Sequence, residues 1–429
     1  MTKASNRSPV RALFARITGA SLTQAASAPR QEARNGLRHV GSLALTKVAD
    51  GLIDPKLVLS WLLSALGAPA VYVGALVPIR EAGALLPQIL LAGGLARMGR
   101  RKWMWAAGSA VQGSAALGIA AAGLWLDGAA AGLAICLLLA VLALARAACS
   151  VSFKDILGKT VEETRRGAVT GLAGSVASVA VVGFALLLMS GLLQDRGAVL
   201  AAIALAGIFW LMAALLFATL EEQRSHPARD RRPALLAPLR QDARLRRFVL
   251  VRGLLVSTAL APPYLVILAG GEDGAVLGRL GALVLASAFA SLVSSYVWGR
   301  LADLSSRRVL AASGFGGGMA MAAMLALHGL GLGAAAWAGP VVLFVLMIAY
   351  HGVRQGRSVY LVDMAPEDAR SRYTAVANTL IGGLLLVSGV FGGGLSLIGP
   401  AWALAGFAAL ALCGGVLALA LLEEVETQG

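Results

Sequence analysis

Long apolar runs recur along nearly the whole chain, and no other feature constrains the fold as strongly. A run of about 20 apolar residues is the length that a helix needs to cross the hydrocarbon core of a membrane. The runs predict six spans, then a charged linker, then six more spans. Their bounds lie near 57–79, 82–98, 103–125, 129–149, 168–192, 197–219, 248–269, 276–299, 309–331, 339–359, 373–397 and 400–422. We therefore predict an all-α polytopic membrane protein with twelve transmembrane helices.

The composition also favours a membrane protein. Of the 429 residues, 58% are hydrophobic and 14% are charged, whereas about 25% of residues are charged in a soluble domain. The net charge of +15 would suit nucleic acid, but the cations lie in the short loops between the runs, so we predict no nucleic-acid partner. Cys136, Cys149 and Cys413 fall inside apolar runs without metal-ligand spacing, and we predict neither a metal nor another cofactor.

The charged stretches set the predicted domain boundaries. Residues before the first run form a basic tail, whose last part could lie on the inner membrane surface as an amphipathic helix. The predicted units are a cytosolic tail at 1–56 with an interfacial helix at 41–56, a bundle at 57–219, a cytosolic linker at 220–247, a bundle at 248–422 and a cytosolic C-terminus at 423–429.

The distribution of positive charge predicts the orientation. With the amino terminus inside, nearly all of the 37 Lys and Arg residues lie on the inner face, and only Arg80, Arg196 and Arg279 lie toward the outer face. Cytosolic loops carry this excess in membrane proteins. We therefore predict an integral protein of the bacterial cytoplasmic membrane with both termini in the cytosol.

A short charged loop appears once in each half of the chain. In the second half it reads Trp298-Gly299-Arg300-Leu301-Ala302-Asp303-Leu304-Ser305-Ser306-Arg307-Arg308. In the first half, Ala92-Gly93-Gly94-Leu95-Ala96-Arg97-Met98-Gly99-Arg100-Arg101-Lys102 repeats the glycine, the Leu-Ala pair and the basic run, but Arg97 stands near the place of the carboxylate. The two loops are about half a chain length apart, which is the pattern that a duplicated bundle leaves.

The order Gly-x-Leu-Ala-Asp-x-x-x-Arg-Arg resembles the loop between the second and third helices in each half of the major facilitator superfamily. The resemblance covers roughly residues 57–422. It implies two pseudo-symmetric six-helix bundles that rock about a central site. It also implies a gating role for the loop residues Gly299, Asp303, Arg307, Arg308, Arg100 and Arg101, with Asp303 close to the start of the fifth span at Gly167.

A second pair of loops connects the fourth and fifth spans of each half. Each loop has a carboxylate leaving one helix and an acid followed by a base entering the next. We predict that Asp155, Arg166, Asp363 and Arg372 also take part in gating. The alternative is ordinary solvated loop charge, which contributes little energy.

The resemblance implies that the first and fourth helices of each half line the substrate cavity. On this chain those are the spans beginning near 57, 129, 248 and 339, and a polar residue inside a span is a functional candidate. The predicted cavity residues are Trp61, Tyr72, Arg146, Arg252, Tyr264, His351, Arg354 and Arg357. Because this set is mainly cationic, an anionic solute is expected. The alternative is that the arginines reach the cytosolic surface or hold lipid phosphates.

Carboxylates are scarce in the predicted spans. Glu81, near the predicted outer turn between the first two spans, is the candidate for proton coupling, and an external salt bridge with Arg80 is the alternative. We found no enzyme motif in a suitable context, because Gly158-Lys159-Thr160 lacks the glycine of a phosphate-binding loop.

These features predict a secondary active transporter that moves a small, anionic solute by alternating access and is not an enzyme. Its expected partners are that solute, membrane lipids and a coupling proton, and it is expected to work as a monomer. The alternative hypothesis is a membrane protein that does not transport and that binds lipid or a partner through its basic cytosolic face.

Overall fold

The computed structural model describes residues 30–88, 97–190, 195–224, 241–270, 277–366 and 370–424, with the single positions 14, 91, 94, 95 and 239. All regular structure within these residues is helical. The helices are α1 (Arg30–Leu52), α2 (Val58–Ala65), α3 (Ala70–Leu85), α4 (Lys102–Trp125), α5 (Gly128–Thr160), α6 (Glu163–Met189), α7 (Arg196–Ala218), α8 (Ala243–Leu255), α9 (Ser257–Leu260), α10 (Pro262–Gly270), α11 (Leu277–Gly329), α12 (Ala338–Met364), α13 (Arg370–Ser396) and α14 (Pro400–Leu421).

The helices form twelve consecutive crossing segments within the described residues. Nine of them are long and apolar enough to cross a membrane by themselves. The others are the broken pair α1 and α2, helix α3, and the first part of α11, which is interrupted at Ser305 by an extended backbone with φ −166° and ψ 99°. The all-α polytopic membrane architecture predicted from the sequence is confirmed.

The first crossing segment begins much earlier than predicted. Helix α1 starts at Arg30 and packs against α6 and α7, and Asn35, His39 and Ser42 are buried within it. The prediction of an interfacial helix at 41–56 is therefore wrong. The polar residues of α1 give it a mean hydropathy too low for a lipid-facing span, but a helix surrounded by protein can carry them.

The first segment is broken in its middle by Asp54 and Pro55. Proline has no N–H to donate and disrupts the helical ladder. The Asp54 side chain instead accepts a hydrogen bond from the Lys56 backbone N–H at 2.7 Å. The helix resumes as α2, and the side chains of Asp54 and Lys56 are left at a gap in the backbone hydrogen bonds, near the middle of the segment.

The turn between the first two segments lies at residues 66–69, and not at the predicted position near 80. Gly67 has a positive φ of 68°, which favours glycine, and the Leu66 carbonyl accepts the N–H of Gly128 from the neighbouring turn at 2.7 Å. Gly67 and Ala68 carry no charge, so the apolar run continues through the turn and hides it. Arg80 lies ten residues into α3, about 15 Å from the turn.

The two halves of the chain form two bundles, α1–α7 and α8–α14. Helices α6 and α11 pack together across the bundles, as do α3 and α13. Within the second bundle, a Cβ atom at Gly314 would lie 2.7 Å from the Cα of Gly415. The sequence spacing of Gly314 and Gly318 therefore marks a contact in which α11 and α14 approach backbone to backbone.

The position of the first turn predicts a labelling pattern. In a variant without the three native cysteines, Ala68→Cys should react with a membrane-impermeant maleimide from outside intact cells, as should Asp127→Cys in the adjoining turn. Ala82→Cys should not react, because Ala82 is buried within α3. Labelling at position 82 but not at 68 would show that the turn lies near residue 80, as the sequence predicted.

Candidate functional site

A carboxylate in the first bundle binds two arginines near the middle of the fold. Asp50, on α1, accepts a hydrogen bond from Arg80 on α3 at 2.7 Å. Its other oxygen accepts from Arg146 on α5. The three side chains are 12–34% exposed. A carboxylate between two guanidiniums leaves a net positive charge inside the bundle.

Lys56 connects the two bundles. Its Nζ lies 3.9 Å from the carboxylate of Glu81 on α3 and 3.6 Å from the centroid of the Tyr350 ring on α12. The ammonium therefore makes an ion pair within the first bundle and a cation–π contact with the second. Its position follows from the helix break, which directs residues 54–57 toward the centre of the fold.

A cavity of about 270 Å³ lies beside this contact, between α6, α11, α12 and the break in the first segment. Its charged and aromatic lining consists of Asp54, Lys56, Tyr350, His351 and Arg354. Much of the remaining wall is made of small residues of α6 and α11, including Ala177, Ser178, Ser287 and Ala288. Arg354 is exposed onto the cavity, and no hydrogen bond or ion pair is described for it.

A second and much smaller cavity, of about 30 Å³, adjoins the first. Glu81, Arg252, Arg354 and Arg357 line it, and Tyr350 and Arg354 also line the larger cavity. Arg252 is 4% exposed and donates one hydrogen bond to the Asn378 side chain at 3.1 Å. The two cavities form one cationic region in the middle of the protein.

The structure brings together part of the predicted cavity set. Arg252, His351, Arg354 and Arg357 line the two cavities, and Arg146 lies nearby on Asp50. The three predicted aromatic residues do not line these two cavities. Trp61 is 6% exposed in the apolar core, and Tyr72 packs on Gly132. Tyr264 is buried against Phe407.

The sequence reasoning missed Asp50, Asp54 and Lys56, because their segment was assigned to the tail. A proline after Asp54, between two stretches of helical composition, was the available signal for a break. The expectation that the spans hold almost no carboxylates is therefore wrong. Arg80 and Glu81 also lie within the first bundle and not at an outer turn, since the first turn is at residues 66–69.

The predicted gating residues of the first half lie at the end of the bundle that carries the basic loops, which we call the basic end. Arg101 pairs with Asp155, and Lys159 lies 2.5 Å from the same carboxylate. Arg166 donates hydrogen bonds to the carbonyls of Val161 and Gly158 at 2.9 and 2.8 Å. These contacts join the ends of α4, α5 and α6 into one unit. Arg100 is exposed.

The gating residues of the second half are described only in part. Arg307 donates to the Leu419 carbonyl at 2.6 Å, and Arg308 lies 3.4 Å from Glu424. Asp363 is exposed. The surroundings of Gly299 and the side chains of Asp303 and Arg372 are outside what the structure describes, so the predicted approach of Asp303 to Gly167 remains a prediction.

We predict that Asp50→Asn destabilises the protein by roughly 2–4 kcal/mol, because it leaves Arg80 and Arg146 partly buried without a counter-charge. The matched control is Asp127→Asn, which removes a carboxylate from an exposed pair with Arg196 and should cost less than about 1 kcal/mol. Unfolding by SDS titration measures both. Equal losses of unfolding free energy in the two variants would show that the Asp50 pairs stabilise the protein no more than an exposed pair does.

Comparison with known proteins places the fold. No family model matches the sequence, and no curated protein matches it. Solved structures match over most of the chain. A point mutant of the nucleoside transporter NupG has a TM-score of 0.69 at 13% identity and covers 91% of this chain and 100% of that one. The POT family transporter PepTSo has a TM-score of 0.68 at 11% identity, covering 90% and 97%.

The xylose transporter XylE from E. coli, in its inward-open conformation, gives a TM-score of 0.62 at 9% identity and covers 92% of this chain and 97% of that one. Identities this low show the common fold alone. The structural matches agree with the loop motif and with the two six-helix bundles. The chain therefore has the fold of the major facilitator superfamily.

Proposed function

We propose that this protein is a secondary active transporter that moves a small anionic solute across the membrane by alternating access. The structures that share its fold are named as a nucleoside transporter, a xylose transporter and a POT family transporter, which supports transport without indicating the solute. The two bundles and the cavity between them are the arrangement that alternating access requires. The cationic lining of that cavity supports an anion.

The proposal of an anionic solute rests on the exposure of Arg354 and on the absence of a described partner for its side chain. Its side chain is exposed onto the 270 Å³ cavity with no ion pair or hydrogen bond described for it. A guanidinium presents several donors in one plane and binds carboxylates and phosphates in a bidentate manner. The volume lies near the lower limit for ligand pockets, which favours a small solute. Lys56 and His351 line the same cavity.

We further propose that Glu81 couples transport to a proton. Its charge interacts with those of Lys56, Arg357, Arg80 and Arg354. Glu81 and Arg354 line the same small cavity, and Lys56 lies 3.9 Å from the Glu81 carboxylate. An anion bound at Arg354 would offset part of the positive charge around Glu81 and so favour the binding of a proton to its carboxylate. Solute and proton would then bind together, which is the linkage that a symporter needs.

The proposed orientation places the basic end in the cytosol, in a bacterial cytoplasmic membrane, with the protein acting as a monomer. At the opposite end the bundles approach closely: a Cβ at Gly74 would lie 1.9 Å from the Tyr264 hydroxyl, and one at Gly281 would lie 2.7 Å from the Met189 side chain. The described ion pairs of the basic end each lie within one bundle. We therefore propose an inward-facing state in which the loop residues of the basic end form the open gate.

The test is uptake of a panel of radiolabelled mono- and dicarboxylates and phosphate esters into proteoliposomes. For an anion that is transported, Arg354→Ala should raise the half-saturating concentration at least about tenfold, which is the loss expected for a charge-assisted hydrogen bond. Arg354→Lys should retain part of the affinity, because the charge remains while the bidentate geometry is lost.

The control is Gln355→Ala, which alters the neighbouring exposed residue and should leave the half-saturating concentration unchanged. Unaltered affinity in folded Arg354→Ala would remove Arg354 from the solute site. Absence of flux for every anion and for neutral sugars and nucleosides would favour the alternative of a membrane protein that does not transport.

A further inference from the structure

The small cavity of about 30 Å³ has an imbalance of charge. Its lining contains three arginines, Arg252, Arg354 and Arg357, and one carboxylate, Glu81. That carboxylate is shared, because Lys56 lies 3.9 Å from it and its charge also interacts with Arg80. The positive charge around the cavity therefore exceeds the negative charge that the described residues supply.

Arg252 is the most deeply buried of these three arginines. It is 4% exposed, and its described hydrogen bond goes to the neutral oxygen of Asn378. Its Nε is buried without a hydrogen-bond partner among the described residues. Arg357 supplies a charge that acts on Arg252, and this charge repels it. A buried guanidinium next to another is costly unless an anion lies between them.

The volume and the walls of the cavity limit what can bind. A space of about 30 Å³ holds one small ion or water and excludes an organic solute. Leu255, Val256 and Ile381 supply apolar walls. Such walls strengthen the attraction between an anion and the two guanidiniums, because they exclude water.

We propose that a single small anion of halide size binds in this cavity between Arg252 and Arg357. Arg252 lies on α8 and Arg357 on α12, so the anion links two helices of the second bundle, and Arg252 also donates to Asn378 on α13. The anion is either a free chloride or the charged head of a solute in the larger cavity, since Tyr350 and Arg354 line both spaces. The site goes beyond the proposed function and exists whether or not the protein transports.

The test measures thermal unfolding of the purified full-length protein in detergent, without solute. Sodium gluconate, whose anion is too large for the cavity, is replaced stepwise by sodium chloride or bromide at constant ionic strength. A free-halide site predicts a rise in Tm that saturates at about 2 °C or more. Arg252→Gln should weaken the apparent halide affinity at least about tenfold. Arg247→Gln, at an exposed pair with Glu423, should respond as the wild type does.

The second arm replaces halide by acetate, succinate or inorganic phosphate. Stabilisation by one of these and not by halide, lost in Arg252→Gln, assigns the cavity to the charged head of a solute. If Arg252→Gln does not fold, Arg357→Lys takes its place, and bromide bound in a wild-type crystal locates the site. Equal Tm values in all anions for the wild type would overturn the proposal. Anion flux does not enter this test, so failure of the transport proposal would be seen separately.

Discussion

The cost of placing charge inside a membrane protein organises this molecule. Charged residues lie on the central helices of the two bundles and in the break between α1 and α2. They are the seven cations Lys47, Lys56, Arg80, Arg146, Arg252, Arg354 and Arg357 and the three carboxylates Asp50, Asp54 and Glu81. Each unpaired charge there is expensive. The fold responds by pairing Arg80 and Arg146 with Asp50, by placing Lys56 between Glu81 and Tyr350, and by leaving the remaining arginines at cavities.

This arrangement separates charges that are paired within the protein from charges that line the cavities. Asp50 and its two arginines connect α1, α3 and α5, and they have the partners that stability requires. Arg354 and Arg357 lie on one face of α12 at a spacing of three residues, beside the cavities. Arginines without a carboxylate partner among the described residues, such as these two, are costly in the interior unless a ligand or water reaches them. The cavities beside them provide the space for such a ligand or water.

Much of the fold could be predicted from the sequence, because ten of the crossing segments are long apolar runs with charged residues near at least one end, and the loop at Gly299 has a family pattern. The first two segments could not. Helix α1 carries Asn35, His39 and Asp50 against protein neighbours, which hydropathy cannot distinguish from a polar tail, and the turn at Gly67 has no charge to mark it. Because the first turn was predicted near residue 80, Glu81 was predicted to lie at the membrane surface. The misplacement of the first segment also removed Asp50, Asp54 and Lys56 from consideration, whereas the arginines of α8 and α12 were found because their helices were placed correctly.

The break at Asp54 and Pro55 makes the first crossing segment two levers joined at a hinge. Helix α1 is held by α6 and α7, while the short α2 is attached to the turn at Gly67 beside Gly128. Lys56 lies on the hinge itself and contacts both Glu81 and Tyr350. Since α2 is only about two turns long, any displacement of Lys56 would be transmitted along α2 to the turn at Gly67 and to the Gly128 backbone bonded there.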